Sequence, residues 1–575
     1  GFSRLGNFDR TSADRIEFIK GPAAAIYGQT NPGGIVNFIP KMPKAKPSET
    51  VFGAVGAYDT NRFEFDSTGP VPAIGGEQSK LFYYINGSYF HRTWEPKSQA
   101  TRTRSAYLAL QYKFAPQTTL TFDFDYTWQH NLVTALPIAN YGTTAVPNWQ
   151  VATELRDKTF VAATDWNERA VYQYELLFEH RFNQIFSTRA AANFYRSPRY
   201  SYASVRGATY DPATRTFSMT AANRAPLYNF LVGDGHSAAV DFVASYKAAN
   251  MTHKTLLTVD YFKNIGNRPQ FTASAPWQVA SFSVDNPVFA PILPFNNSIG
   301  FTQNQDRWDY AQTVGSFLRH QLWALDDRLV IMGGVRYDSV SNYTHNRLFF
   351  PATHPTRANQ SAPDLRWSKD NFATTAGMNF KITPGVVFYA SRSESFVPGG
   401  PGGANVLAEP FVPVPNQTGV GYEGGFKFDV LDHRLSVTTS LYSIELQNVQ
   451  TNEINPLDPT GPLIPTFEGG QKAKGFELDA NYRVTSDLQW LLSYSYTDSR
   501  LTDRGVDVDV MSRQALRIPF DQIGSAIRYD INRSLNVYVS MRYMGWTYVD
   551  NTAAARSAST GLIDTPDPRR LLKSP

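Results

Sequence analysis

Thr119-Leu120-Thr121-Phe122-Asp123-Phe124-Asp125-Tyr126 alternates without a break: its even positions are apolar or aromatic and its odd positions are Thr or Asp. Successive side chains of an extended strand point to opposite faces, so this stretch puts one face in an apolar medium and the other in water. Phe476-Glu477-Leu478-Asp479-Ala480-Asn481-Tyr482 repeats the pattern, as does Val537-Tyr538-Val539-Ser540-Met541-Arg542-Tyr543. Leu488, Trp490, Leu492, Tyr494 and Tyr496 stand against Ser493, Ser495 and Thr497 in the same way. Alternation by itself fits a soluble sandwich as well as a membrane barrel.

Three further features point to the barrel. The alternating segments run about 10 to 16 residues, longer than the usual soluble strand and suited to a tilted membrane crossing. Aromatics such as Tyr112, Tyr126, Trp128, Tyr482, Tyr543 and Trp546 recur toward segment ends, as interfacial girdles require. Connection lengths alternate as well. Short joints at Ala115-Pro116-Gln117, Asn183-Gln184, Asp326-Asp327, Thr383-Pro384, Leu431-Asp432 and Asn532-Arg533 alternate with long connections near 131–168, 197–235, 265–307, 342–368, 397–417, 451–469 and 501–518. Short turns at one rim and long loops at the other are the outer-membrane pattern. A closed barrel also pairs every backbone group without help from lipid. The expected fold is therefore all-β, a transmembrane antiparallel barrel of about nineteen visible strands, the last ending near Asp550.

Composition excludes other classes. The 575 residues are 14% aromatic, with 31 Tyr, 39 Phe and no Cys, and the mean hydropathy is −0.35. An apolar run of roughly 18 residues, the length a helix needs to span a bilayer, occurs nowhere. The net charge is +4, from 54 basic and 50 acidic side chains without a basic run, which argues against a nucleic-acid binder. Nine scattered His and no Cys give no spacing for a protein-held catalytic metal. Pro398-Gly399-Gly400-Pro401-Gly402-Gly403 lacks the Lys-Ser/Thr and helix of a phosphate loop and reads as an external loop. Enzymatic activity is not expected.

The chain opens with Asp14-Arg15-Ile16-Glu17-Phe18-Ile19-Lys20-Gly21-Pro22, followed by Tyr27-Gly28-Gln29-Thr30-Asn31-Pro32-Gly33-Gly34-Ile35-Val36-Asn37. Its glycines and prolines describe a compact, turn-rich unit. This stretch resembles the closing half of the plug domain of TonB-dependent outer-membrane receptors, with their G-P, Y-G and P-G-G-x-x-N. Four strands further on resemble the siderophore (ferrichrome-type) receptors in the same order. They are Ser391-Arg392-Ser393-Glu394-Ser395-Phe396-Val397-Pro398, Tyr422-Glu423-Gly424-Gly425-Phe426-Lys427, Lys472-Ala473-Lys474-Gly475-Phe476-Glu477 and Tyr494-Ser495-Tyr496-Thr497-Asp498. Leu441 to Val449 continues the likeness.

The resemblance implies 22 strands in the family. On it, residues 1–47 are the C-terminal half of the plug, and residues 48–575 are a barrel lacking its last strands. A TonB box would precede Gly1. In similar receptors a basic residue before the plug G-P pairs with barrel glutamates. The expected lock is Lys20, with Arg15, against Glu394 and Glu477, whose strand parity is read as pointing both into the lumen. Lys in place of Arg loses the bidentate geometry, and hydrated groups in a wet lumen are the alternative. The plug motif residues are Gly21, Pro22, Tyr27, Gly28, Pro32, Gly33, Gly34 and Asn37. Phe2, Asn7, Phe8 and Arg10 near the last plug apex are expected ligand contacts or turn residues. Tyr141, Trp149, Trp166, Tyr200, Tyr202, Tyr210, Trp277 and Trp367 are expected in the long loops, able to stack on a ligand ring or to anchor the belt.

The function so implied is a monomeric receptor in the outer membrane of a Gram-negative bacterium, in contact with outer-membrane lipid. It would bind a ferric siderophore and import it with force from a TonB-ExbB-ExbD complex. Iron would travel as the siderophore complex, with no cofactor on protein side chains. Cobalamin or an oligosaccharide is the alternative cargo, and a passive porin or adhesin the alternative class.

Overall fold

The computed structural model describes residues 9–545 and 547, apart from 73–78, 95–98, 133–137, 143–148, 156–157, 159–164, 204–208, 219–226, 274–280, 288–300, 349–363, 400–414, 454–463, 503–513 and 516–517. Phe2, Asn7, Phe8, Trp277 and Trp546 lie outside the described residues, as does the side chain of Trp149.

Nineteen strands form one antiparallel sheet that curls into a barrel wall, in an order that follows the chain. The wall starts at Ser48–Gly56 and ends at Leu535–Met544. These two strands come round as neighbours, but no register between them is present among the described residues. Each pairs with one hairpin partner, and both are exposed along nearly their whole length. Among the described residues no ladder closes the wall at this seam.

The alternation is inside out relative to a soluble protein. Asp123 and Asp125 are 3% and 1% exposed, while the adjacent Phe122, on the opposite face, is 36% exposed. Farther round, Phe372, Leu441 and Val539 stand open at 69%, 66% and 62%. Apolar side chains that face outward and polar ones that face in are stable only with hydrocarbon outside.

The short joints fall where expected, between Gln99–Ala115 and Thr118–Leu132, for example, and between Phe301–Ala324 and Leu329–Leu348. A further tight joint at Ala249-Asn250 has φ of 51° and 60°, the mirror-image turn that matches strand twist. The strands themselves exceed the expected lengths, reaching 24 residues in Phe301–Ala324. Hydropathy marks only the part inside the apolar band, whereas ladder pairing continues into water. Trp166, Tyr200, Tyr202 and Trp367, expected in loops, consequently lie on strands Trp166–Arg181, Phe186–Ala203 and Leu365–Thr383.

The N-terminal unit sits within this wall. It consists of a 3-10 turn at Arg10–Ser12, strand β1 (Ala13–Lys20), the one-turn helix α1 (Ala24–Tyr27) and strand β2 (Gly34–Pro40), with β1 and β2 antiparallel. Ala24 and Ala25 are small enough to bring α1 against the wall, where they join a dry cluster with Phe317, Val340, Ala373 and Phe396. The Tyr107 hydroxyl donates to the Lys41 carbonyl at 2.9 Å, tying down the segment that leads into the first wall strand.

Candidate functional site

The contacts between the N-terminal unit and the wall form the candidate site. Lys20, the last residue of β1, donates from Nζ to Glu477 Oε2 at 2.7 Å and lies 3.9 Å from Asp479 Oδ2. Glu477 and Asp479 share one strand face, as alternation requires. Partial burial disfavours the Lys20 charge, but the Glu477 hydrogen bond and the nearby Glu477, Asp479 and Glu423 charges outweigh it. The ammonium is held above the ordinary lysine range. A cavity of about 340 Å³ adjoins the pair, lined among others by Pro22, Ser391, Ser393, Glu423 and Tyr442.

Glu394 is not part of this cluster, which corrects the lumen assignment made from parity. Ser391 and Ser393 face the cavity, so Arg392 and Glu394 lie on the opposite, outward face. Glu394 accepts from Arg392 Nη2 at 2.5 Å and from the Thr374 amide at 2.6 Å, and the Arg392 guanidinium lies 5.9 Å from the Tyr422 ring centre. Pairing between Leu365–Thr383 and Val386–Val397 stops at Thr375 and Ser393. The strands part there, and Glu394 caps the amide left over. Parity established that Arg392 and Glu394 share a face but not which face it is.

The inward acid from this region is Glu423, which accepts from the Tyr389 and Ser440 hydroxyls, both at 2.8 Å. It stood in the quoted Tyr422-Glu423 motif without being singled out. Its parity with the inward Gly421, and its register opposite Ser391, are the signal that could have found it. Arg15 also stays out of the cluster: it bonds Glu17 at 2.8 Å and lies 3.5 Å from Asp14. Glu17 in turn accepts from Asn37 Nδ2 at 3.1 Å, so the motif Asn cross-links β2 to β1.

The rest of the N-terminal motif fits the wall closely. Gly21 donates to the Gly33 carbonyl at 3.3 Å and Gly34 to that of Asn31 at 3.1 Å, closing the loop that carries Pro22, Tyr27 and Pro32. Tyr27 is half-buried at the end of α1. Gly28 has φ 77° and ψ −146°, a region open almost only to glycine. A Cβ there would lie 2.9 Å from Arg336 Nη2. Wall glycines make room in the same way: a Cβ at Gly421 would come within 2.7 Å of Pro22, and one at Gly419 within 2.8 Å of Pro32.

Beneath Gly28 lies a group that no motif or spacing singled out. Arg336, 3% exposed at its side chain, bonds both Asp260 oxygens at 2.7 and 2.8 Å and bonds Asp338 at 2.7 Å. Asp338 is fully buried. The three come from strands Met251–Ala273 and Leu329–Leu348, and only pairing of both with Phe301–Ala324 brings them together.

At the start of the described chain, Asp9 is buried and accepts from the Thr11 amide at 3.0 Å and from Arg62 Nη2 at 2.7 Å. Burial opposes its charge, but the Thr11 amide and the Arg62 guanidinium prevail and hold the carboxyl below the ordinary range. Arg62 also pairs with Glu64. Arg10, the described member of the expected ligand contacts, is 66% exposed and lies 3.5 Å from Glu64.

Comparison with known proteins agrees with this architecture. The family described as TonB dependent receptor-like, beta-barrel, matches residues 131–567. The metal-pseudopaline receptor of Pseudomonas aeruginosa is 23% identical over 497 residues, which make up 86% of this chain and 64% of that protein. The chain thus spans a little under two thirds of that relative. The ferrichrome outer membrane transporter/phage receptor of Escherichia coli K12 is 25% identical over 98% of this chain and 74% of its own length. Among solved structures, the ferric preacinetobactin receptor of Acinetobacter baumannii superposes with a TM-score of 0.76 at 16% identity, covering 96% of this chain and 77% of that one. That likeness shows the fold.

Proposed function

Because this chain belongs to the TonB-dependent receptor family, we propose that it acts as an outer-membrane receptor that binds a ferric siderophore outside the cell and imports it into the periplasm. The family consists of transport receptors of the Gram-negative outer membrane. The observation that carries the reading is the seated N-terminal unit, a plug element held inside the wall by Lys20 on Glu477 and by Gly28 over Arg336. A lumen occupied by a fitted, polar-latched element suits gated import and is of little use to a passive pore.

The cargo class is read from relatives whose names specify ferrichrome, pyoverdine and ferrioxamine. Iron enters as cargo within its chelator, so the protein supplies recognition and no ligand to the metal. Force on the plug would come from a TonB-ExbB-ExbD complex acting through a TonB box, and the working unit would be a monomer in contact with outer-membrane lipid. Arg10, with Phe2, Asn7 and Phe8 beside it in sequence, is assigned to ligand contact at the plug apex. Residues 1–47 are assigned to the plug and 48–575 to the barrel.

The test is uptake of a panel of ferric siderophores by cells carrying the protein, with and without an active TonB complex. Saturable, TonB-dependent iron uptake is expected. Uptake of cobalamin or an oligosaccharide in its place would overturn the cargo, and conductance independent of TonB would overturn the mechanism.

A further inference from the structure

Two histidines that are far apart in sequence meet on the outward face of the wall, near the rim of short joints. His253 lies near the start of strand Met251–Ala273, and His320 near the end of Phe301–Ala324. His253 shares its parity with Leu257 and Val259, and His320 with Val314 and Leu318, four side chains that are 42–48% exposed on the outer face. Both imidazoles therefore point away from the lumen. Register brings them together, because Thr255 stands directly opposite His320 and His253 is its diagonal neighbour.

His253 Nδ1 and His320 Nε2 are 3.3 Å apart. That is longer than the usual N–H hydrogen bond of about 2.9–3.0 Å. It matches the spacing of two nitrogens on one tetrahedral ion, which stand about 3.3–3.4 Å apart when each metal–nitrogen bond is about 2.0–2.1 Å. Both rings are also held in place. His320 Nδ1 lies 3.0 Å from the Thr255 hydroxyl, and donating its proton there leaves the Nε2 lone pair for a cation. Tyr246, opposite His253 on strand Leu227–Ala248, stacks on the His253 ring at 5.0 Å and 6°. His253 Nε2 has no hydrogen-bond partner, so it can keep the ring proton while Nδ1 supplies its lone pair. On the far flank of His320 the register partner is Gly333, where a Cβ would meet nothing within 4 Å. Among the described residues no third His, Cys, Asp or Glu joins the pair, so water would fill the remaining positions.

We propose that His253 and His320 form a two-histidine site for a divalent ion of the late first transition row, which clips their two strands together at the short-joint rim. Imidazole nitrogens favour copper, nickel and zinc, whereas magnesium and calcium prefer oxygen. The site faces away from the lumen, so it goes beyond the import reading and is independent of any iron carried as cargo. Only the paired sheet presents both nitrogens at this spacing, and an ion bound to them stabilises the folded wall.

Titration of the purified, tag-free protein in detergent with copper(II) alone, followed by electron paramagnetic resonance, tests the site. Wild type is expected to bind one copper(II) ion with two nitrogen ligands, unaffected by excess magnesium. His253→Ala and His320→Ala should each leave one nitrogen and weaken binding at least about tenfold. Thr255→Val keeps both rings and the wall intact, and should weaken binding by about tenfold through lost orientation of His320 alone. Copper should raise the unfolding temperature of wild type and not that of either histidine variant. A two-nitrogen spectrum and an affinity unchanged in both histidine variants would overturn the proposal, as would a wild-type spectrum without two nitrogen ligands.

Discussion

Lys20 Nζ and Glu477 Oε2 lie 2.7 Å apart across 457 residues of sequence, and this contact joins the end of β1 to the wall. The Lys20 side chain keeps 59% of its exposure, so water screens the pair and its net worth is about 0–1 kcal/mol. Lys20→Ala should therefore barely change thermal stability. Lys20→Glu, which sets a third carboxylate beside Glu477 and Asp479, should open the N-terminal unit to protease, and adding Glu477→Lys should restore protection. Equal protection in Lys20→Glu and wild type would rule out the latch.

The same contact has a predictable alkaline limit. Its lysine is raised in the folded state, so its stabilisation is complete below the ordinary lysine value, about 10.4. It is lost as pH rises through the higher folded value. The pair's small contribution to protection of the N-terminal unit should hold from neutral pH to beyond pH 10 or so and then be lost, a step no larger than that of Lys20→Ala, and Lys20→Arg should remove the step.

Arg336 stands between two carboxylates away from water. Arg336→Ala should cost about 3–5 kcal/mol by leaving Asp260 and buried Asp338 uncompensated. Replacing all three with apolar residues of similar volume should recover most of that loss in urea unfolding. A triple variant as unstable as Arg336→Ala would contradict the uncompensated-charge account.

Gly28→Ala should unseat the N-terminal unit locally. Its backbone conformation costs a side chain about 1–3 kcal/mol, and the added Cβ would meet Arg336. Cleavage within the N-terminal unit should increase, while the barrel keeps its resistance to heat in detergent. Unchanged cleavage would show that α1 tolerates a shift away from the wall.

Asp9 predicts an acid limit at the other end of the unit. Its carboxyl is depressed, so its stabilisation is present above the ordinary aspartate value, about 3.9. It is lost as pH falls through the lower folded value. Exchange at Thr11 and Ser12 should rise only below about pH 4, and Asp9→Asn should raise it at neutral pH as well.

Strand faces, the two kinds of rim and the turn-rich N-terminal unit were legible from residue type alone, because alternation has a period of two and turns are local. The strand lengths beyond the apolar band and the grouping of Arg336 with Asp260 and Asp338 were not. Each depends on which chain segments meet across the wall.

Residue parity alone determined that Glu477 and Asp479 share a face, and that Arg392 and Glu394 do. Only the tertiary structure decided that the first pair points at Lys20 while the second points outward. It alone assembled Arg336 with Asp260 and seated Arg336 under Gly28. Alternation is a property of a single strand, whereas inside, outside and the choice of ion partner are set by sheet curvature and by register between strands distant in sequence.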